Sequence, residues 1–160
     1  MDSKKIKNIS NSKKISDKDL SILKDLEKKV SWLSAWMIHN ANNIRESQDG
    51  LKVGGHQASS ASIISIMVAL YFKVLQSEDR VAVKPHAAPV FHSIQYLLGN
   101  QSKEKLENFR GFGGAQSYPS RTKDTADVDY STGSVGLGGA ITIFGSLIQD
   151  YLYQHNLINE

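Results

Sequence analysis

One short stretch, Arg80-Val-Ala-Val-Lys84, alternates in the manner of a β-strand, while every other segment with a hydrophobic period reads as helix. That imbalance constrains the fold more than any other feature of the chain. A strand's backbone donors and acceptors must be paired once buried, and a parallel strand pairs only with another strand. Two architectures satisfy this. One is an irregular helical cluster; the other is the front portion of a larger α/β domain whose sheet is completed elsewhere. The alternation of apolar helices with loops has a βα-like rhythm and favours the second. The expected class is therefore α/β, the front portion of a parallel-sheet domain, mostly helical as it stands.

The helices announce themselves by spacing. Leu20, Leu23, Leu26, Val30, Leu33 and Met37 recur at three- and four-residue steps, which predicts an amphipathic helix over 17–43. Ser16 with Asp19 three residues later gives it a capping-box-like start. On one side of this helix lie Trp32 and Trp36, read as core or partner-facing anchors. After Gly54-Gly55, a small-residue run from Ala58 to Ser62 passes into Ile63, Ile64, Ile66, Met67, Leu70, Tyr71 and Val74, predicting a helix buried on most sides. Pro89 belongs in the first turn of a helix carrying Val90, Phe91, Ile94, Leu97 and Leu98 and closed by Gly99. Ser102 caps a short helix reaching Phe109. From Gly111 to Asp129 the periodicity vanishes into a long loop, and long ordered loops in compact domains tend to be functional. Glycines 133, 136, 138 and 139 then open a last helix with Ile141, Phe144, Leu147, Ile148, Tyr151 and Leu152.

Charge and composition exclude several classes. At 160 residues, with 40% hydrophobic and 22% charged residues, the chain is long enough to bury a core and is not compositionally disordered. The net charge of +3 is local: residues 1–18 carry +4, and the remainder sums to −1. A nucleic-acid partner needs basic residues on the folded surface, so none is expected. Residues 1–16 are expected to be a mobile basic tail, and 17–160 a single incomplete module. No apolar run reaches the length of about 18 residues that a membrane helix needs, nor is there an apolar leader, so neither membrane nor secretion is expected. Zero cysteines exclude thiolate metal sites and Cys nucleophiles, and fit a cytoplasmic setting.

Two places can carry chemistry. The glycine loop before the last helix permits close backbone approach at a helix N-terminus, where free N–H groups and the helix dipole favour a phosphate. It has neither a preceding hydrophobic strand nor a Lys-Ser/Thr pair, so alone it reads sooner as a structural turn. Of the five histidines, His39 and His155 read as surface or interface residues and His92 as structural. His56 follows the double glycine at a helix entry, and His86 follows Lys84-Pro85 just past the strand, where open α/β sheets place their ligands. Imidazoles at such junctions suit proton transfer near neutral pH and hydrogen bonding to phosphate.

Four segments occur in order: Val53-Gly-Gly-His-Gln-Ala-Ser59, Val83-Lys-Pro-His-Ala-Ala-Pro89, Asn108-Phe-Arg110 with Gln116-Ser-Tyr-Pro119, and Ser131-Thr-Gly-Ser-Val-Gly-Leu-Gly138. Together, over roughly residues 29–155, they make the chain resemble the N-terminal diphosphate-binding module of the transketolase superfamily of thiamine-diphosphate enzymes. The likeness is greatest to homodimeric pyruvate dehydrogenase E1 components, because Ser117-Tyr118-Pro119 stands where transketolases proper have Gly-His-Pro. The resemblance implies catalytic roles for His56 and His86 and cofactor contacts from Ser59, Tyr118, Val135, Gly136 and Leu137. The implied cofactors are thiamine diphosphate and Mg2+, and the implied substrate is a 2-oxo acid or sugar phosphate. Lys84 stands where relatives often have a small polar residue or Gln.

The same resemblance marks what is missing. Such enzymes hold the metal through a Gly-Asp-Gly motif and a downstream Asn, and activate the cofactor with a glutamate on a second module. No Gly-Asp-Gly occurs here, and Asp150 and Glu160 are the sole acids after the glycine loop. A hard cation needs several oxygen ligands, so no metal site is expected within this chain. Two functions follow: a partial E1-like or transketolase-like enzyme, inactive alone and completed by a second copy or a companion chain, or a non-catalytic module that pairs with another chain through exposed apolar helices.

Overall fold

The computed structural model describes residues 15–47, 49–134 and 136–158. The basic tail expected over 1–16 lies outside the described residues as far as residue 14, and so does Val135 of the glycine loop. Helix α1 runs Asp17–His39 and continues as a π-helical turn, Asn40–Ile44, close to the expected 17–43. Ser16 caps it as its spacing implied, its hydroxyl accepting from the Asp19 amide at 3.1 Å. Two short helices follow, α2 (Gln57–Ala61) and α3 (Ile64–Ala69), the latter extended by a π-helical turn, Leu70–Val74. A 3-10 turn, Pro85–Ala87, leads into α4 (Ala88–Leu97). Then come α5 (Lys103–Glu107), capped by the Ser102 hydroxyl, and α6 (Leu137–Gln154).

Helix α4 is the centre of the molecule. Every residue from Ala88 to Gln95 is buried. Val90, Phe91 and Ile94 join Val30 of α1 and Ile64, Met67 and Val68 of α3 in the main core, which Val83, Ala126 and Val128 close from the loops. Burying a side chain as large as Phe91 stabilises the fold by roughly 1.5–3 kcal/mol. A second cluster, Met37, Ile38, Ala41, Leu106, Phe109 and Ala115, joins the end of α1 to α5 and the turn beyond it. Where α1 crosses α4 the hydroxyls of Ser34 and Ser93 lie 3.2 Å apart, each hydrogen-bonded to a carbonyl one turn back in its own helix (Val30 and Pro89, both 2.7 Å). Small polar residues thus allow a close helix crossing without orphaned donors.

Two expectations are corrected, one on the strand and one on the run after the double glycine. No strand is found among the described residues, so the molecule is mostly helical, and the α/β class is not met by these residues alone. Around 80–84 the backbone is served by side chains instead of a ladder: the Val81 amide donates to the Asp129 carboxylate at 2.8 Å, and the Val83 carbonyl accepts from the Thr132 hydroxyl. The run after the double glycine is also not one helix buried on most sides. It breaks at Ser62–Ile63, where the Ser62 hydroxyl bonds the Ser59 carbonyl at 2.9 Å and competes with helical pairing. Its buried residues, Ser60, Ile64, Met67 and Val68, form one stripe, while Ile66 and Val74 face outward. Helix α6 buries none of its residues. Ile143, Phe144, Leu147, Ile148 and Tyr151 are all more than half exposed along it.

Candidate functional site

The two junction histidines come together. His56 is the N-cap of α2, and His86 is the middle residue of the 3-10 turn ahead of α4. Their rings stack with centroids 4.1 Å apart and planes 21° from parallel. His56 is exposed and His86 half-buried, so the pair is open to solvent on one side. The Ser60 hydroxyl donates to the His86 carbonyl at 3.2 Å and fastens α2 to the turn.

The Gly54-Gly55 approach to His56 is held by neighbours remote in sequence. The Asn42 side chain accepts from the Gly54 amide at 2.8 Å and donates to the Gly54 carbonyl at 2.9 Å, mimicking a backbone partner. A Cβ at residue 55 would sit 2.9 Å from the Ile38 side chain, so only glycine lets the loop lie against α1. On the opposite side the Arg110 guanidinium donates to the Val53 carbonyl.

Electrostatics favour the neutral imidazole at His86. Its partly lost hydration is the largest cause, followed by repulsion from His56, Lys84 and Arg110, and together they hold its pKa below the ordinary histidine value. A neutral ring near pH 7 both accepts and donates a proton, as a general acid–base group must.

Beside this pair runs a groove of about 240 Å3, lined by residues 82–86, Thr132, Ser134 and the glycines 136, 138 and 139. Gly136, in the left-handed region, is the N-cap of α6, so the groove opens onto a helix N-terminus. The described lining contains a lysine and no carboxylate. Lys84 and the N-terminus of α6 favour an anionic group at one edge of an otherwise largely apolar groove.

Of the residues anticipated for the site, His56, His86 and Gly136 are thereby gathered. Leu137 begins α6 and is 44% exposed, without lining the groove, and Val135 lies outside the described residues. Ser59 is on α2, where its carbonyl accepts from Ser62; it neither lines the groove nor bonds the histidines. Tyr118 is half exposed, and no ring contact among the described residues joins it to the pair. Sequence reasoning missed the Asn42 clamp and Thr132, whose hydroxyl ties the glycine segment to Val83. Their only signal was position beside a motif. The described residues do not fit a magnesium ion: no group of three or more His, Asp or Glu among them is placed to hold a metal. No helix among them is long and apolar enough to cross a membrane.

No family model matches the chain. Against curated proteins it is 29% identical over 150 residues to the "Pyruvate dehydrogenase E1 component" of Buchnera aphidicola subsp. Schizaphis graminum, covering 88% of this chain and 16% of that one. With the component of the same name from Pseudomonas aeruginosa it shares 30% identity over 149 residues, again 88% of this chain and 16% of the relative. The Escherichia coli K12 protein is 29% identical over 123 residues, 71% of this chain and 14% of its own. The chain therefore spans about one-sixth of the length of the curated relatives it matches, and it is, over most of its own length, similar to one part of a pyruvate dehydrogenase E1 component.

Proposed function

We propose that the chain supplies the imidazole pair and the diphosphate-facing groove of a thiamine-diphosphate-dependent active site of the E1 or transketolase type, acting on a 2-oxo acid or sugar phosphate in the cytoplasm. The observation that carries this reading is the His56–His86 stack at 4.1 Å beside a groove with cationic and helix-terminal donors. Similarity to pyruvate dehydrogenase E1 components over up to 88% of the chain supports the choice of cofactor.

When bound, thiamine diphosphate would supply, once deprotonated at its thiazolium carbon, a nucleophile for the substrate carbonyl. This chain's residues do the surrounding work. Lys84, Ser134 and the N-terminal turn of α6 bind the anionic end. Neutral His86 holds a proton acceptor in place, and His56, more exposed, passes protons to and from the substrate oxygen. Ser59, Tyr118, Val135 and Leu137 are kept as cofactor contacts in the assembled enzyme. No step is routed through Mg2+, for which the described residues offer no cluster of ligands. The segment 80–84 is read as a first sheet strand paired by residues from elsewhere, and the competent unit as a homo-oligomer or a complex with a companion chain.

Calorimetric titration of the full chain with thiamine diphosphate, with and without magnesium, tests the reading. Weak binding, roughly millimolar, that is lost in His86→Ala is expected, with no turnover of pyruvate. Turnover by the pure chain, or binding indifferent to His86, contradicts it. A second reading, a non-catalytic pairing module, is favoured by the exposed apolar face of α6; it is supported if the cofactor does not bind at all.

A further inference from the structure

We infer that Arg110 is the positioning residue of the histidine pair, locking the loop that carries His56 and thereby its stack on His86. Four observations meet at this side chain. Its backbone is left-handed (φ 62°), a conformation costly for a residue with a long side chain and found where surroundings over-determine it. Its amide donates to the Ala115 carbonyl at 2.9 Å, closing the tight turn after α5 that sets the backbone there. Its guanidinium reaches across 57 residues of sequence to the Val53 carbonyl, at the mouth of the Gly-Gly-His loop. Finally, it lies over the Phe109 ring at 5.6 Å, and its Nε is buried without a hydrogen-bond partner.

An arginine held this way is expensive. It pairs with no carboxylate among the described residues, it leaves a donor unsatisfied, and its backbone is strained. What it gains is contact with one loop. Gly54 is built for that contact: its φ is 76°, and a Cβ there would sit 3.2 Å from the Arg110 Nη1. Asn42 clamps the same glycine from the α1 side, so the loop is held between two elements and His56, two residues on, has little freedom. The charged and titratable groups acting on His86 are Lys84 from its own turn, His56 from the start of α2 and Arg110 from the turn after α5. Removing Arg110 therefore changes both the geometry and the field at the pair.

The inference rests on the reading of His56 and His86 as the working part of the site, and its test is kept separate from cofactor binding. The full chain is compared with Arg110→Met, which keeps the stem, Arg110→Lys, which keeps charge and a donor, and Gly54→Ala, which displaces the guanidinium from the other side. Histidine ring signals are followed by NMR through a pH titration. In Arg110→Met the mutual ring-current displacement of His56 and His86 is expected to be lost and the His86 midpoint to rise, while His155 signals stay put. Arg110→Lys restores both in part, and Gly54→Ala reproduces the loss of stacking with Arg110 intact. If Arg110→Met and Gly54→Ala only lower the melting temperature and leave the pair's signals and midpoint unchanged, Arg110 is a structural residue and the inference fails. Failure of the parent chain to bind thiamine diphosphate, with these ring signals behaving as expected, sinks the functional reading and leaves Arg110's role standing.

Discussion

His92 shows how a single residue's chemistry is decided by what surrounds it. It is the one fully enclosed histidine of the five, with none of its surface exposed. Its Nε2 donates to the Gln116 carbonyl at 2.8 Å, which makes that nitrogen the protonated one, and its Nδ1 accepts from the Gln101 amide at 3.2 Å. Both nitrogens are thus spoken for in the neutral form. Burial is the largest influence and holds the ring's pKa below its ordinary 6.5, against the opposing pull of Asp124 and the Gln116 carbonyl. The unfolded chain takes up the proton first as pH falls, so His92 contributes full stability above about pH 6.5 and loses it progressively below. His86, also depressed, acts in the same direction. Urea unfolding is accordingly expected to show a lower midpoint at about pH 5 than at about pH 7.5. His92→Gln is expected to cost about 1–3 kcal/mol at the higher pH and to flatten that slope. An unchanged slope in the variant would show that other groups carry the acid sensitivity.

The same scale shows what a linear reading can see. His56 and His86 stand out because each follows glycine or proline at an element junction, a local property. Their stacking joins residues 30 apart in sequence, and Arg110 reaches Val53 over a longer gap still; no spacing rule encodes either. Ser59 and Tyr118 rest on resemblance alone, and no hydrogen bond or ring stack among the described residues joins either to the pair.

At the scale of elements, what depends on neighbouring residues was legible. The apolar stripe and Ser16 cap of α1, Pro89 in the first turn of α4 and the Ser102 cap of α5 are all local signals, and all appear. The strand at 80–84 was not, because a strand's identity lies in its partner. With Asp129 and Thr132 serving its backbone and no second strand among the described residues, alternation alone does not make a ladder. Helix α6 was legible as a helix, and its apolar face is open, as the reading of exposed apolar helices implied. Its outward row of Ile143, Phe144, Leu147, Ile148 and Tyr151 is the kind of contiguous apolar surface that drives association in water. Sedimentation velocity is expected to find the chain above its monomer mass of 17.7 kDa. The double variant Phe144→Glu/Leu147→Glu is expected to return it to monomer with unchanged far-UV circular dichroism. A monomeric parent chain would mean that α6 is covered some other way.

For the whole molecule, the architecture is a packed helical centre around α4 with a one-sided periphery. The core clusters hold α1, α3, α4 and α5 together, whereas the site lies where the 3-10 turn, α2 and the start of α6 converge at the edge. Such an arrangement offers cations, imidazoles and helix-terminal donors while lacking a metal cluster and a sheet among its described residues. The similarity to curated relatives covers about one-sixth of their length, and the proposed half-site rests on that share of the relatives together with the histidine pair.

The most direct test of that half-site is a heteronuclear NMR titration of the full chain with thiamine diphosphate, reading the histidine rings and the glycine amides together. The account predicts saturable shifts at His56, His86, Gly136, Gly138 and Gly139, with His39 and His155 unmoved. A silent histidine pair, or shifts spread evenly over all five rings, would contradict it.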